Sequence, residues 1–205
     1  MRSPVRTSTQ RLPAAPDRQR SWTTPRQLSD AELLARLRHN DANALELALR
    51  QHWVLVVDYI KRLTGSEDAA EDIAQRTFCQ LWDRRAQWSP TGSLRALLCR
   101  VARNLAVSEH RRQSADERSA AAFIELMAPM SPARDRLETE QLRLALDREI
   151  ALLPVRRREI LVLRCVHDLS YKEIAEVMNI APQTVANQFS SALAALRVSL
   201  RELLD

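Results

Sequence analysis

Only two glycines, Gly65 and Gly92, occur in 205 residues, and that scarcity constrains the fold more than any other feature. Hairpin turns, bulges and phosphate-cradling loops draw on glycine because it enters positive φ without a Cβ clash. The all-α class is the one that needs fewest such positions. No run approaches the roughly 20 consecutive apolar residues of a membrane-spanning helix, and residues 1–26 lack the apolar centre of a secretory signal. The chain is therefore expected in the cytoplasm, with no membrane insertion. Cys79, Cys99 and Cys165 are odd in number and far apart, which suits neither a disulfide framework nor a Cys-x-x-Cys metal site. His39, His52, His110 and His167 are scattered, so no catalytic cluster, metal or cofactor is expected.

A formal net charge of +5 suggests a nucleic-acid partner, but the charge is unevenly placed. Residues 1–27 hold six Arg against Asp17, a surplus that equals the charge of the whole chain. The same segment holds Pro4, Pro13, Pro16 and Pro25 and reads as a disordered basic tail. In the otherwise neutral remainder, residues 67–83 carry five acids and one Arg, and residues 84–112 carry seven Arg and only Glu109.

Order is expected to begin at Ser29-Asp-Ala-Glu32, a capping box followed by Leu33, Leu34 and Leu37. A second helix is predicted from Asp41 to Leu63, stopping at Thr64-Gly65, and a third after Ser66. On the third, Ala70, Ile73, Ala74, Thr77, Phe78, Leu81 and Trp82 fill one half and Asp68, Asp72, Gln75, Cys79 and Asp83 the other. Phe78 and Trp82 fall at the seam, where they form either a core aromatic pair or part of a protein-binding face. After the turn Trp88–Ser93, a fourth helix sets Leu94, Leu97, Leu98, Val101 and Leu105 against Arg95, Arg100, Arg103, His110 and Arg111. Its positive side is all Arg, which suits a polyanion. Residues 113–137 read as a linker, and helical pattern restarts near Leu137, with Leu142, Leu146, Ile150 and Leu153 ahead of Pro154.

The most specific local signal begins at Ser170. Ser170 and Glu173 form a second capping box, Ile174, Ala175 and Val177 an apolar face, Asn179-Ile180-Ala181 a short turn, and Pro182 suits the first position of the next helix. This is the pattern of a helix-turn-helix. In the last helix Val185, Phe189, Ala192, Leu196 and Leu203 align inward, leaving Gln183, Thr184, Asn187, Ser190 and Ser191 outward, where Gln and Asn suit paired hydrogen bonds to adenine.

This unit, behind the acidic EDAAEDIAQRTFCQLW helix and the basic SLRALLCRVARNLAVSEHRR helix, resembles the extracytoplasmic-function (group four) sigma factors of bacterial RNA polymerase. The resemblance covers about residues 28–205 apart from the linker. It implies two small helical domains joined by a flexible linker: region two over 28–112 and region four, with its helix-turn-helix, over 138–205. Asp72, Gln75, Phe78, Leu81 and Trp82 match the family's core-polymerase-binding surface. Arg100, Arg103 and Asn104 match its minus-ten recognition helix, with Arg111 beyond them. Trp88 stands where a flipped promoter base is captured; it either stacks on such a base, worth roughly 1–3 kcal/mol, or packs beneath the loop. Gln183, Thr184, Asn187 and Gln188 match the minus-thirty-five reading residues, with Arg156, Arg157, Arg158 and Lys172 near phosphates. Ala186, Gln188 and Ser191 stand where many members have Lys or Arg, so a weaker and less salt-dependent hold on duplex is expected. The implied partners are core RNA polymerase, promoter DNA and an anti-sigma factor, with no catalysis by the chain itself. The competing reading is a stand-alone helix-turn-helix regulator that binds an operator as a dimer.

Overall fold

The computed structural model describes residues 28–89, 93–113 and 146–204, and among them every regular element is helical. The tail over 1–27, the linker beyond Gln113 and the middle of the Trp88–Ser93 turn lie outside the described residues. The elements are α1 (Asp30–Arg38), α2 (Ala42–Thr64), α3 (Glu67–Asp83), a single 3₁₀ turn (Arg85–Gln87) and α4 (Leu94–Gln113). After the undescribed segment come α5, described over residues 146–152, then α6 (Val155–Cys165), α7 (Tyr171–Met178) and α8 (Pro182–Leu204).

The boundaries follow from local chemistry. The Ser29 hydroxyl accepts from the Glu32 N–H at 3.3 Å while the Glu32 carboxylate accepts from the Ser29 N–H at 2.9 Å, closing the capping box of α1. Asp41 caps α2, and Gly65 ends it at φ 71°, a left-handed position where a Cβ would clash. Ser66 caps α3. The start of α4 is capped twice: the Ser93 hydroxyl accepts from the Ala96 N–H at 3.2 Å, and from a distance Asp30, the first residue of α1, accepts from the Leu94 N–H at 2.8 Å. That tie fixes α4 against α1, and no local pattern in the sequence announces it.

The first four helices pack around Leu33, Leu34, Leu37, Val56, Ile60, Leu63, Phe78, Leu81, Leu94 and Leu98, all essentially without exposed surface. This apolar cluster does not stop at the linker. It continues through Ile160, Leu163, Leu169, Ile174, Val177 and Val185 of the carboxy-terminal helices, so the two units share one core. A smaller cluster, Ile150, Leu153, Leu161, Ala192 and Leu196, ties α5, α6 and α8 together.

Phe78 is wholly buried and stacks on Trp53 with ring centroids 6.0 Å apart. Replacing it with Ala should therefore destabilise the fold by about 3–5 kcal/mol, the usual cost of emptying an aromatic core position. Chemical denaturation of Phe78→Ala beside the parent chain measures this; an unchanged midpoint would mean that the core is not built around this ring.

Candidate polymerase and promoter interface

On α3 the buried half is Ala70, Ile73, Ala74, Thr77, Phe78 and Leu81, and the opposite side presents Asp68, Asp72, Gln75 and Asp83 to solvent. The structure corrects one part of the expectation for this helix: Phe78 and Leu81 lie in the core and offer no surface to a partner. Packing against α2 draws the seam inward, and the stack on Trp53 accounts for Phe78. Trp82 is half-buried, with the Arg85 guanidinium 4.4 Å above its ring. The open surface on this side is thus Asp72 and Gln75, bordered by Trp82.

Helix α4 is enclosed on more sides than its amphipathic pattern implies. Leu94, Leu97, Leu98 and Val101 face the first bundle as expected, while Ala96, Cys99 and Ala102 are buried as well. Part of the Arg-rich side is covered by the carboxy-terminal unit. Arg95 donates to the Asp168 carbonyl at 3.3 Å, Cys99 has no exposed surface, and Arg103 donates to Glu159 through Nε at 2.7 Å and Nη2 at 3.3 Å. These three residues are spaced four apart and form one stripe of the helix. Asn104 and Arg111 remain exposed and Arg100 partly so, leaving a narrower open strip. Trp88 packs at the edge of the core, donating its indole N–H to the Leu81 carbonyl at 3.1 Å, while its own carbonyl accepts from Arg38 at 2.9 Å. In this packing the ring is half-buried.

The helix-turn-helix forms as the sequence predicts. Ser170 and Glu173 complete their capping box, Asn179 closes α7 at φ 54°, and Pro182 begins α8. Val185 fills the angle between the helices with no exposed surface, and the Phe189 ring lies 5.8 Å from Tyr171. Gln183, Thr184 and Asn187 are exposed on the outer face, with the Gln183 amide donating to Asn187 at 3.0 Å. Gln188 is half-buried and accepts from Arg157 at 3.1 Å. Arg156 and Lys172 are exposed beside this face. Arg158 is not: it is buried and donates to the Ala151 and Leu153 carbonyls at the end of α5. The expected phosphate contact at that position is corrected to a structural one, in which the guanidinium satisfies carbonyls left free where a helix stops.

The segment at residues 48–115 matches the family described as Sigma-70 region 2, and residues 143–196 match Sigma-70, region 4. The ECF RNA polymerase sigma factor SigL of Mycobacterium tuberculosis is 30% identical over 179 residues, covering 81% of this chain and 97% of that protein. The chain belongs to the extracytoplasmic-function sigma factors. It is also 31% identical over 148 residues to the probable RNA polymerase sigma factor RfaY of Xanthomonas campestris, although the match covers 70% of this chain and only 37% of that longer protein. Among solved structures, the sigma factor RpoE of Bartonella quintana, in complex with the anti-sigma factor NepR, superimposes with a TM-score of 0.55 at 21% identity. That superposition covers 74% of this chain and 96% of RpoE. Sigma-factor membership, with both regions present, disfavours the stand-alone regulator. No described helix of the sigma factor is long and apolar enough to cross a membrane.

Sequence reasoning missed the group at the centre of the contact between the two units. Glu159 has no exposed surface and accepts at Oε1 from both Tyr59, at 2.7 Å, and Arg103. The signal was present in its spacing. Val155, Glu159, Val162, Leu163 and Val166 follow the rhythm of one buried helix face, and a carboxylate on such a stripe calls for a partner on a facing element. His167 lies beside the same contact, edge-on to Tyr59 with ring centroids 5.9 Å apart. Burial pushes its imidazole down to about 4, Arg62 and Arg95 acting in the same direction and Asp58, at 3.6 Å, opposing them.

Because the unfolded chain takes up this proton near the ordinary value of 6.5, the contribution of neutral His167 is complete above that pH and is lost as the pH falls toward 4. The loss between pH 7 and 5 amounts to about 2 kcal/mol. His167→Asn should flatten the fall in unfolding free energy over this range, measured by urea titration at each pH; parallel curves for the two proteins would refute the assignment.

Proposed function

We propose that this sigma factor is a dissociable initiation factor that carries promoter recognition to core RNA polymerase and performs no chemistry of its own. In this reading residues 28–112 act as region two and residues 138–205 as region four. Asp72, Gln75 and the exposed edge of Trp82 meet the polymerase; Phe78 and Leu81 hold that surface in place from beneath. Arg100, Asn104 and Arg111 contact the unpaired minus-ten strand, joined by Arg103 once it leaves Glu159. Trp88, anchored through the Leu81 carbonyl, sets where the capture loop begins. Binding the unpaired strand more tightly than the duplex shifts the melting equilibrium toward open DNA, since a ligand shifts an equilibrium only by its differential affinity.

The observation that carries the reading is the open outer face of α8, where Gln183, Thr184 and Asn187 project together from a complete helix-turn-helix in a chain of this family. Asn and Gln match the donor and acceptor pair of adenine in the major groove, and Thr suits a base edge or a thymine methyl. Arg156 and Lys172 flank that face at positions suited to phosphates, and Arg157, held on Gln188, orders its border. Few positive charges lie on α8 itself, so sequence reading there relies on hydrogen bonds. The relative RpoE, solved with the anti-sigma factor NepR, supports a protein inhibitor of this kind as a further partner.

Purified protein mixed with core polymerase should direct initiation from a subset of a randomised promoter library; failure to bind core polymerase at all would end this reading. Within the selected promoters, Asn187→Ala or Gln183→Ala should relax the preference at one or two upstream base pairs, each by about 1–3 kcal/mol. Lys172→Ala should instead weaken binding to all sequences alike and lower the salt slope by about 0.9. An upstream preference unchanged by either α8 substitution would count against this reading face.

A further inference from the structure

The contact between the two units occupies part of the surface that promoter binding would use. We infer that Glu159 is a latch that holds the free factor closed, its carboxylate taking the place on Arg103 that promoter DNA takes when the units separate. The inference rests on α4 as the minus-ten helix and deepens that reading.

Three observations carry it. Arg103 offers two parallel donors to the two Glu159 oxygens, at 2.7 and 3.3 Å, in the fork geometry by which guanidinium also binds a phosphate. Tyr59 of α2 adds a third donor to the same carboxylate at 2.7 Å, so Glu159 of α6 is gripped by two helices of the amino-terminal unit. Around this ion pair the contact is partly polar: Arg95 meets the Asp168 carbonyl at 3.3 Å, and His167 sits edge-on to Tyr59. Beside this polar patch the two units also share apolar contacts through Leu163, Leu169 and Ile174, so separation has to be driven by competing interactions, while the buried carboxylate with its partners intact resists it. Polymerase and promoter, which bind region two and the strands on either side of it, supply the competing interactions.

Cys99 reports the state of the latch. It lies one turn before Arg103 on the covered stripe, has no exposed surface, and its thiol is pushed up to about 12 by burial, whereas Cys165 is exposed. Alkylation of the full chain with N-ethylmaleimide, resolved site by site by mass spectrometry, should modify Cys99 at least a hundredfold more slowly than Cys165. Glu159→Gln keeps the shape of the latch and removes its charge; it should raise the Cys99 rate at least tenfold with unchanged helical circular dichroism and tighten binding to core polymerase. If that variant loses helix, Tyr59→Phe, which removes a single hydrogen bond, should still raise the rate about threefold. Equal Cys99 rates in the parent chain and a folded variant would overturn the latch, as would faster alkylation with no gain in polymerase affinity. Absence of polymerase binding by parent and variant alike, with Cys99 still released, would defeat the sigma reading alone.

Discussion

A carboxylate can sit at the centre of a protein only where donors replace the water it has lost, and Glu159 obtains them from the other unit of its chain. Tyr59 and Arg103 both belong to the amino-terminal helices. The arrangement of the two units therefore rests on this group together with the apolar cluster that they share. Removing a partner from such a buried pair is strongly destabilising, at about 3–5 kcal/mol, whereas well-packed apolar replacements of a whole pair are often neutral. A pair of this kind is thus a poor means of adding stability but an effective means of making one contact specific and reversible.

Helix α4 is where fold and function meet. One side closes the amino-terminal bundle through Leu94, Leu98 and Val101; a second, through Arg95, Cys99 and Arg103, receives the carboxy-terminal unit; a third leaves Asn104 and Arg111 open. An element buried on two sides is held rigidly, and rigid elements place recognition side chains with little loss of conformational freedom. Its start is fixed by Asp30 from α1, and farther along Glu109 meets Arg76 of α3 at 3.1 Å. The acidic side of α3 and the open strip of α4 are consequently fixed relative to each other, which suits one surface that docks on a protein and one that meets DNA.

Much of this was legible in the sequence because it was encoded locally. Two capping boxes, the Gly65 stop, the Asn179 turn and Pro182 each placed a helix boundary where the structure has it, since a cap is satisfied within four residues. The sidedness of α3 and α8 was equally readable from periodicity. What escaped was non-local. Phe78 at a seam is ambiguous until Trp53 is known to lie over it. Arg158 resembles its neighbours Arg156 and Arg157 until the free carbonyls of α5 are brought beside it. The Arg side of α4 looked uniformly open because the unit that covers its Arg95–Cys99–Arg103 stripe arrives from more than fifty residues away in sequence.

A latch of this kind gives one chain two arrangements, closed when free and open on the polymerase. Val54 on α2 and Val198 on α8 are both well exposed, at 75% and 60%, and mark the two units. Spin labels at these positions, with distances measured by pulsed electron resonance, should give a single narrow distribution in the free factor and a clearly longer one when core polymerase is bound. The same distance in both states would contradict the account.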